Sequence, residues 1–342
     1  MPGKGLFMET DLMQNEIKII SYRDALREAL SEEMSRDPDV ILMGEDLGIY
    51  GGGFGVTAGL LEKFGPSRVL DTPISESAFV GTAIGAAATG MRPVVELMFS
   101  DFMSVCWDQI MNEAAKMHYM YAGSLRVPLV IRTAAGGGTG AASQHSQSLE
   151  AMYCHVPGLK VVVPSTPGDA KGLLKSAVRD NNPVIFLEQK LLYNTKGPVP
   201  EGEYTIPLGK AEIRRKGSDV TLISYGRMVQ MCLNVAEWLA LDGISAEVLD
   251  LRTLSPLDTD AINASVCRTG RAVVVHESVQ FGGFGGEIVS SIMEGEAFGY
   301  LRSPVKRVGG RFCPIPCSPE MERNVFPTPQ RIEAAVLECF RK

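Results

Sequence analysis

Three ionisable side chains stand where apolar segments end, in positions suited to acid–base chemistry. Glu45 follows VILM in the run MGED, and Glu76 lies in DTPISES after RVLD. His145 lies in the polar loop AASQHSQS, after the apolar run VPLVIRT. If those runs are parallel strands, their carboxyl ends face a ligand crevice. A carboxyl group held there among apolar neighbours keeps its proton more readily and can share it with a nitrogen base.

Each of the three residues also has an ordinary structural interpretation. Glu76 can be a first-turn acid that opposes a helix dipole. Glu45 can be a solvated loop acid beside Asp46, and His145 a surface histidine bonded to its own loop. The residue types alone leave both interpretations open.

Glycine-rich and cysteine-rich segments raise two further kinds of site, and the sequence disfavours both. G-x-G-x-x-A occurs at 53–58 and at 136–141. Nicotinamide dinucleotide binding requires both a strand directly before the motif and a helix that begins within it, and neither match has the two together. Cys313 and Cys317 in CPIPC lack the two further ligands that a zinc site needs nearby.

Composition narrows the class of protein. The 342 residues carry 33 Lys and Arg against 40 Asp and Glu, a net charge of −7, so no basic surface for nucleic acid is expected. Hydrophobic residues make up 45% of the chain, enough for a sizeable core, but no apolar run is long enough to cross a membrane. An odd number of cysteines, 7, and the lack of a signal sequence predict a reducing, cytoplasmic location.

The elements that must position these residues alternate along the chain as strand and helix. This pattern predicts an α/β protein with two doubly wound, mainly parallel sheets that carry helices on both faces. We expect a tail at 1–16, a first domain at 17–193, a linker rich in proline and glycine at 194–210 and a second domain at 211–342.

Three of the helices predicted in the first domain have distinctive sequence signals. Ser21 is expected to cap a helix over 21–37, and a long helix is expected over 101–121. A helix over 78–90 carries small residues at regular spacing, which indicates either a close seam with another helix or subunit, or a buried core helix.

Taken together, long segments of the chain resemble one family. MGEDLGIYGGGFG, DTPISESAFVGTAIGAAATGMRP, ELMFSDF, AASQHSQSLEA and RDNNPVIFLE are similar to the beta subunit of the decarboxylating component of 2-oxo acid dehydrogenase complexes. The resemblance runs from about residue 17 to 335. ELMFSDF and QHSQSLEA are closer to the acetoin dehydrogenase branch, whereas PISES and RDNNPV are shared more widely.

The resemblance implies a transketolase-like fold and thiamin diphosphate as cofactor. By motif position, Glu76 matches the family's acid on the aminopyrimidine ring, and Ile74, Met98 and Phe102 match its apolar ring contacts. His145 matches the histidine near the substrate and the lipoyl entry, and Glu45 the acid between paired cofactor sites. The resemblance also implies a structural potassium ion, bound mostly through backbone carbonyls of Leu129, Ala177, Val178, Asp180 and Asn182.

The resemblance also implies partners. The GDG…N segment that holds magnesium and the diphosphate in this class is missing from the chain, and the family carries it on an alpha subunit. An α2β2 heterotetramer is therefore expected, docked on a dihydrolipoamide acyltransferase core and its lipoyl domain. Two alternatives stay open: half of another transketolase-type enzyme that transfers two carbons, and a subunit that keeps the fold without catalysis.

Overall fold

The computed structural model describes residues 16–341, so the predicted tail lies almost wholly outside the described residues. The strands are β1 (Ile17–Ser21), β2 (Val40–Gly44), β3 (Val69–Asp71), β4 (Arg92–Leu97), β5 (Val130–Ala135), β6 (Lys160–Val162), β7 (Val184–Gln189), β8 (Lys196–Pro200), β9 (Glu212–Arg215), β10 (Val220–Ser224), β11 (Ala246–Asp250), β12 (Thr253–Ser255), β13 (Ala272–Val279) and β14 (Lys306–Gly310).

The helices complete the alternating pattern. They are α1 (Tyr22–Arg36), α2 (Leu60–Phe64), α3 (Glu76–Ala88), α4 (Met117–Met120), α5 (Glu150–Cys154), α6 (Pro167–Arg179), α7 (Met228–Leu241), α8 (Thr259–Thr269), α9 (Gly285–Glu294), α10 (Pro319–Arg323) and α11 (Pro329–Glu338). Within residues 16–341, no helix is both long and apolar enough to cross a membrane.

The first half of the chain forms most of a seven-stranded sheet in the order β12-β6-β7-β5-β4-β2-β3. Strands β2 to β7 pair in parallel, so their carboxyl ends share one edge. The connection from β2 leads outward to β3, whereas the connection from β4 leads the other way to β5. The gap beyond the ends of β2 and β4 is therefore the place where an open α/β sheet binds ligands.

The second half forms a five-stranded sheet in the order β14-β13-β10-β11-β9, in which only β9 runs antiparallel. A short strand, β12, leaves this half and pairs antiparallel with β6 of the first sheet. One buried apolar cluster includes Val95 and Ile131 from the first sheet as well as Ile223 and Val274 from the second. The two sheets thus share a core, and the expected α/β class is confirmed.

Local signals placed several elements correctly. Ser21 caps α1 by accepting a hydrogen bond from the Asp24 amide, as the capping pattern predicted. Thr166 caps α6 in the same manner, with Pro167 as its first residue. The two helices pack together on one face of the first sheet, where their apolar residues form a second buried cluster.

One expectation about local structure was wrong, and a second segment holds more structure than the sequence indicated. Residues 101–121 do not form one helix, because a 3-10 turn (Ser100–Ser104), a π-helical turn (Gln109–Ala114) and α4 replace it. The apolar spacing predicted helix but could not show the wider turn, which shifts the register of the side chains. The segment expected as a linker also contains β8, which pairs with β1 through non-local contacts.

Candidate active site

Glu45 and Met98 flank the gap at the carboxyl edge of the first sheet. Glu45 directly follows β2, and Met98 directly follows β4, its neighbour in the sheet. Gly44 permits this close pairing, because a Cβ at that position would lie 2.5 Å from the Glu96 carbonyl oxygen. The order of the strands therefore brings two predicted site residues to one crevice.

Glu76 is the first residue of α3 and is 8% exposed. In the part of the chain that the structure describes, no group donates a hydrogen bond to its carboxylate and no basic side chain pairs with it. Neither oxygen is among the fully shielded side-chain atoms that lack a partner, so the carboxylate is open to a ligand in the crevice. The donor set fits a ligand that presents an N–H group or a protonated ring nitrogen.

The charges of the two acids are coupled. Burial raises the pKa of Glu45, and the negative charges of Glu76 and Asp46 raise it further. Burial likewise raises the pKa of the Cys106 thiol to about 12, with a contribution from Glu76. Glu76 therefore lies close enough to influence both groups, and a proton is more easily retained on Glu45 than on a free glutamate.

An aromatic cluster holds His145 beside Phe99 and Phe102. The imidazole meets the edges of two rings, with centroids 4.7 Å from Phe99 and 5.2 Å from Phe102. Met98 lies against the glycine loop 51–55, because a Cβ at Gly53 would stand 2.7 Å from its sulfur. The structure thus joins two predicted residues, His145 and Phe102, in one cluster. It places Met98 against the glycine loop, where a side chain at Gly53 would collide with the sulfur.

Ile74 lies outside that cluster and is 82% exposed in this chain. Ile49 and Tyr50, on the loop after β2, are exposed to a similar degree. Neighbouring exposed apolar residues on crevice loops are typical of surfaces that another molecule covers. The structure does not bring Ile74 into contact with the other predicted ring contacts.

A buried ionic network supports the crevice from below, and sequence reasoning missed it. The Arg132 guanidinium donates to both Glu188 oxygens, at 2.8 and 2.7 Å, and to Glu96. Glu96 accepts the Gly53 amide at 3.0 Å, which anchors the glycine loop over Met98. The only signal was a charged residue inside each of the apolar runs VVEL, VIRT and VIFLE.

The second glycine loop, which also matched a dinucleotide pattern, binds carboxylates of its own chain. Glu322 accepts the amides of Gly138 and Gly140 at 2.7 and 3.0 Å, and Glu277 accepts the amide of Gly137 at 2.7 Å. Both acids come from the second half of the chain. Because its amides are occupied, this loop ties the two halves together and is not a phosphate cradle.

The residues expected around potassium lie together at the end of α6 and before β5, but other donors already use their carbonyls. Arg92 donates to the carbonyls of Val178 and Asp180 at 3.1 and 3.0 Å. The Leu129 and Ala177 carbonyls accept backbone amides of residues 184 and 180. A potassium ion would lie beside a guanidinium, so this donor set does not fit the ion with Arg92 in this position. Potassium stays a prediction from the resemblance.

The other residues that the sequence raised as metal ligands are Asn182, Cys313 and Cys317. Asn182 donates to the Asp180 carboxylate, as does Lys160. Between residues 16 and 341 no group of three or more His, Cys, Asp or Glu side chains is arranged to hold a metal ion. Cys313 and Cys317 are exposed free thiols.

Both halves of the chain match known domain families. The models "Transketolase, pyrimidine binding domain" and "Transketolase, C-terminal domain" match residues 18–196 and 209–332. The chain is 51% identical to the beta subunit of acetoin:2,6-dichlorophenolindophenol oxidoreductase of Cupriavidus necator, over 94% of this chain and 98% of that protein.

A plant protein is similar over nearly the same extent. The chain is 48% identical to the mitochondrial pyruvate dehydrogenase E1 component subunit beta-2 of Oryza sativa, over 95% of this chain and 87% of that protein. Among solved structures, a split gene transketolase described as an inactive beta4 tetramer superposes with a TM-score of 0.77. It covers 94% of this chain and 98% of its own, and at 23% identity it supports the fold alone.

Proposed function

Because this chain belongs to the transketolase-like beta subunits of the pyruvate and acetoin dehydrogenases, we propose that it supplies the pyrimidine half of a thiamin diphosphate site and acts only with an alpha subunit. The reaction is oxidative cleavage of a 2-oxo acid or of acetoin, followed by acyl transfer to a lipoyl group. The observation that carries the proposal is the buried, unpartnered Glu76 carboxylate at the sheet crevice.

Glu76 would hold the aminopyrimidine ring of the cofactor. Its carboxylate would accept a hydrogen bond from a ring nitrogen and share that proton, since α3 carries the side chain at the crevice and no donor among residues 16–341 competes for its oxygens. When bound, thiamin diphosphate supplies a carbon nucleophile and an electron sink that no side chain offers. Met98, Phe102 and Ile74 would contact the flat ring with apolar surface and exclude water from Glu76.

His145 and Glu45 are assigned proton-handling roles. His145 is oriented by two aromatic edges, so its imidazole can present a proton to a developing oxyanion without further rearrangement. Burial raises the pKa of Glu45, and the charge of Glu76 raises it further, which links the two acids and suits a proton-handling group.

The diphosphate and its magnesium are assigned to the alpha subunit, and the exposed apolar residues Ile49, Tyr50 and Ile74 are proposed to face that subunit.

The small-residue stripe of α3 supports an assembly, because Ala78, Gly85 and Thr89 point to solvent in this chain. Such a stripe allows another helix to approach closely. We propose an α2β2 tetramer in the cytoplasm that docks on a dihydrolipoamide acyltransferase, with domains at 17–193 and 211–342 and a linker at 194–210.

Reconstitution with the alpha subunit tests this function and its two alternatives. We expect thiamin diphosphate-dependent reduction of 2,6-dichlorophenolindophenol with acetoin or a 2-oxo acid, and acylation of a lipoyl domain. Transfer of two carbons to a sugar phosphate without lipoyl acylation would favour a split transketolase. A correctly assembled pair that binds the cofactor but consumes none of these substrates would indicate a non-catalytic subunit.

The substrate is tested in the same assay. Identities of 51% to the acetoin enzyme and 48% to the pyruvate enzyme do not separate the two, so the proposed class covers both. Parallel measurements of kcat/KM with acetoin, pyruvate and a branched-chain 2-oxo acid decide among them. A preference of a hundredfold or more corresponds to about 2.7 kcal/mol in transition-state stabilisation and would assign the substrate.

A further inference from the structure

A cleft of about 510 Å³ opens beside the aromatic cluster and is distinct from the Glu76 crevice. Three segments form its walls: residues 53–55 of the first glycine loop, Thr139 of the second, and residues 190–194 after β7. Arg23 of α1 closes one side. Glu76, Glu45 and His145 do not line it, so the cleft requires a separate explanation.

Arg23 enters the cleft without a counterion. In the described part of the chain its guanidinium has no hydrogen-bond or ion-pair partner, and its Nε is fully shielded from solvent. The side chain lies beside the loop, since a Cβ at Gly55 would lie 3.5 Å from its Cδ. Buried guanidinium N–H groups normally find an acceptor, and planar oxyanions match their geometry best.

Lys190 is the second cation on the cleft and is 7% exposed. Its ammonium donates to the His145 carbonyl and lies 5.3 Å above the Phe99 ring. Across residues 16–341 it pairs with no carboxylate, although an ammonium has three donors. Burial lowers its pKa, and the charges of Asp101, Glu277 and Glu322 oppose that shift.

No carboxylate lines the described wall of the cleft. Glu322 and Glu277 bind the second glycine loop, and Glu277 also pairs with Arg227. Asp24 pairs with Arg27, whose other nitrogen donates to the Gly55 carbonyl. Asp101 accepts from Gln147 with one oxygen, and its other oxygen has no hydrogen-bond partner among the described residues. Two cations therefore line the cleft without a carboxylate on its wall, in a chain whose net charge is −7.

We propose that this cleft binds a small oxyanion, a phosphate or a carboxylate, between Arg23 and Lys190. Two cations that converge on a concave space of this size suit a small molecule better than a protein segment. Thr139 and Asn194, at the mouth, add polar groups for the remaining oxygens. Because Lys190 also holds the His145 carbonyl, a bound anion shares a donor with the loop that carries this histidine.

Titration calorimetry with the full-length chain, alone and in complex with its alpha subunit, tests the proposal. The probes are pyrophosphate and succinate, which separate phosphate from carboxylate recognition; the complex is titrated with succinate alone, because the alpha subunit has its own proposed diphosphate site. We expect one site per chain, and at least a tenfold loss of affinity in Arg23→Gln and in Lys190→Gln, since a charge-assisted hydrogen bond contributes more than a neutral one. Lys216→Gln, an exposed lysine of the second half, is the charge-matched control and should bind as the wild type does.

Three outcomes would overturn the proposal. The first is no binding of either probe to the wild-type chain. The second is wild-type affinity in both glutamine variants, and the third is binding that is lost when the alpha subunit is present. The last would mean that a partner's carboxylate occupies the cleft. Lys190→Arg retains the charge and should stay within about threefold of wild type, which separates anion recognition from a folding defect. None of these outcomes depends on the reaction that the enzyme catalyses.

Discussion

Replacing Arg132 by methionine is expected to destabilise the protein strongly. Arg132 is 2% exposed and is the shared partner of Glu96 and Glu188, both buried. Methionine keeps much of the side-chain volume but leaves two carboxylates in the core without a counterion. Breaking a buried ion pair in this way costs about 3–5 kcal/mol, a large part of the roughly 5–15 kcal/mol that stabilises a typical domain.

The loss should depend on pH in a defined direction. Burial already raises the pKa of Glu188 and Arg132 opposes that shift, so without Arg132 this pKa rises further and the folded chain binds more protons than the unfolded chain. Stability then falls as pH rises. We expect urea denaturation to give a larger difference from wild type at pH 8 than at pH 5.5. Melting temperatures should follow the same order.

Two variants separate the charge effect from packing. Arg132→Met combined with Glu96→Gln and Glu188→Gln removes the unpaired charges, and should recover about 2 kcal/mol or more of the loss. Arg126→Met, an exposed arginine on the same segment, should change stability by less than about 0.5 kcal/mol. A loss in Arg132→Met below about 1 kcal/mol, or one that is equal at both pH values, would refute the reasoning.

Three other changes test different parts of the structure. Glu322→Ala leaves two glycine amides unpaired, so it should destabilise the chain by about 2–4 kcal/mol and speed hydrogen exchange at those amides; unchanged exchange would contradict the clamp. Burial opposes ionisation of Asp180, but its lysine and asparagine contacts outweigh burial and lower its pKa. Its contribution is therefore present at neutral pH and lost as pH falls through the folded pKa, so Asp180→Asn should differ from wild type at pH 7 and converge with it in acid. Gly158→Ala would place a Cβ 2.0 Å from the Ala115 carbonyl at φ +104°, and we expect a loss of about 2–4 kcal/mol by urea titration. Gly85→Ala, which has no described atom within 4 Å, is the matched control and should not destabilise the isolated chain.

The sequence predicted the features that depend on neighbouring residues. Ser21 and Thr166 cap their helices through amides three residues away, so the capping pattern was sufficient. The position of Glu76 at the start of a helix followed from the strand and turn before it. The resemblance added the roles of the site residues, which residue types alone had left open.

Features that depend on distant residues could not be predicted. Arg132 contacts Glu96 only because β4 and β5 pair in one register, and neither segment's sequence specifies that pairing. Glu322 reaches the second glycine loop from 182 residues away along the chain. The π-helical turn at Gln109–Ala114 also escaped, because apolar spacing does not distinguish it from an ordinary helix.

Turnover of the Glu76→Gln variant, assembled with the alpha subunit, tests the central claim most directly. Glutamine keeps the size and one acceptor oxygen but cannot share a proton with a ring nitrogen, so kcat should fall by a factor of at least about a hundred. Assembly and thermal stability should match the wild type, and Glu62→Gln, on an exposed helix, should retain full turnover. Near-normal turnover of the assembled Glu76→Gln enzyme would contradict the account.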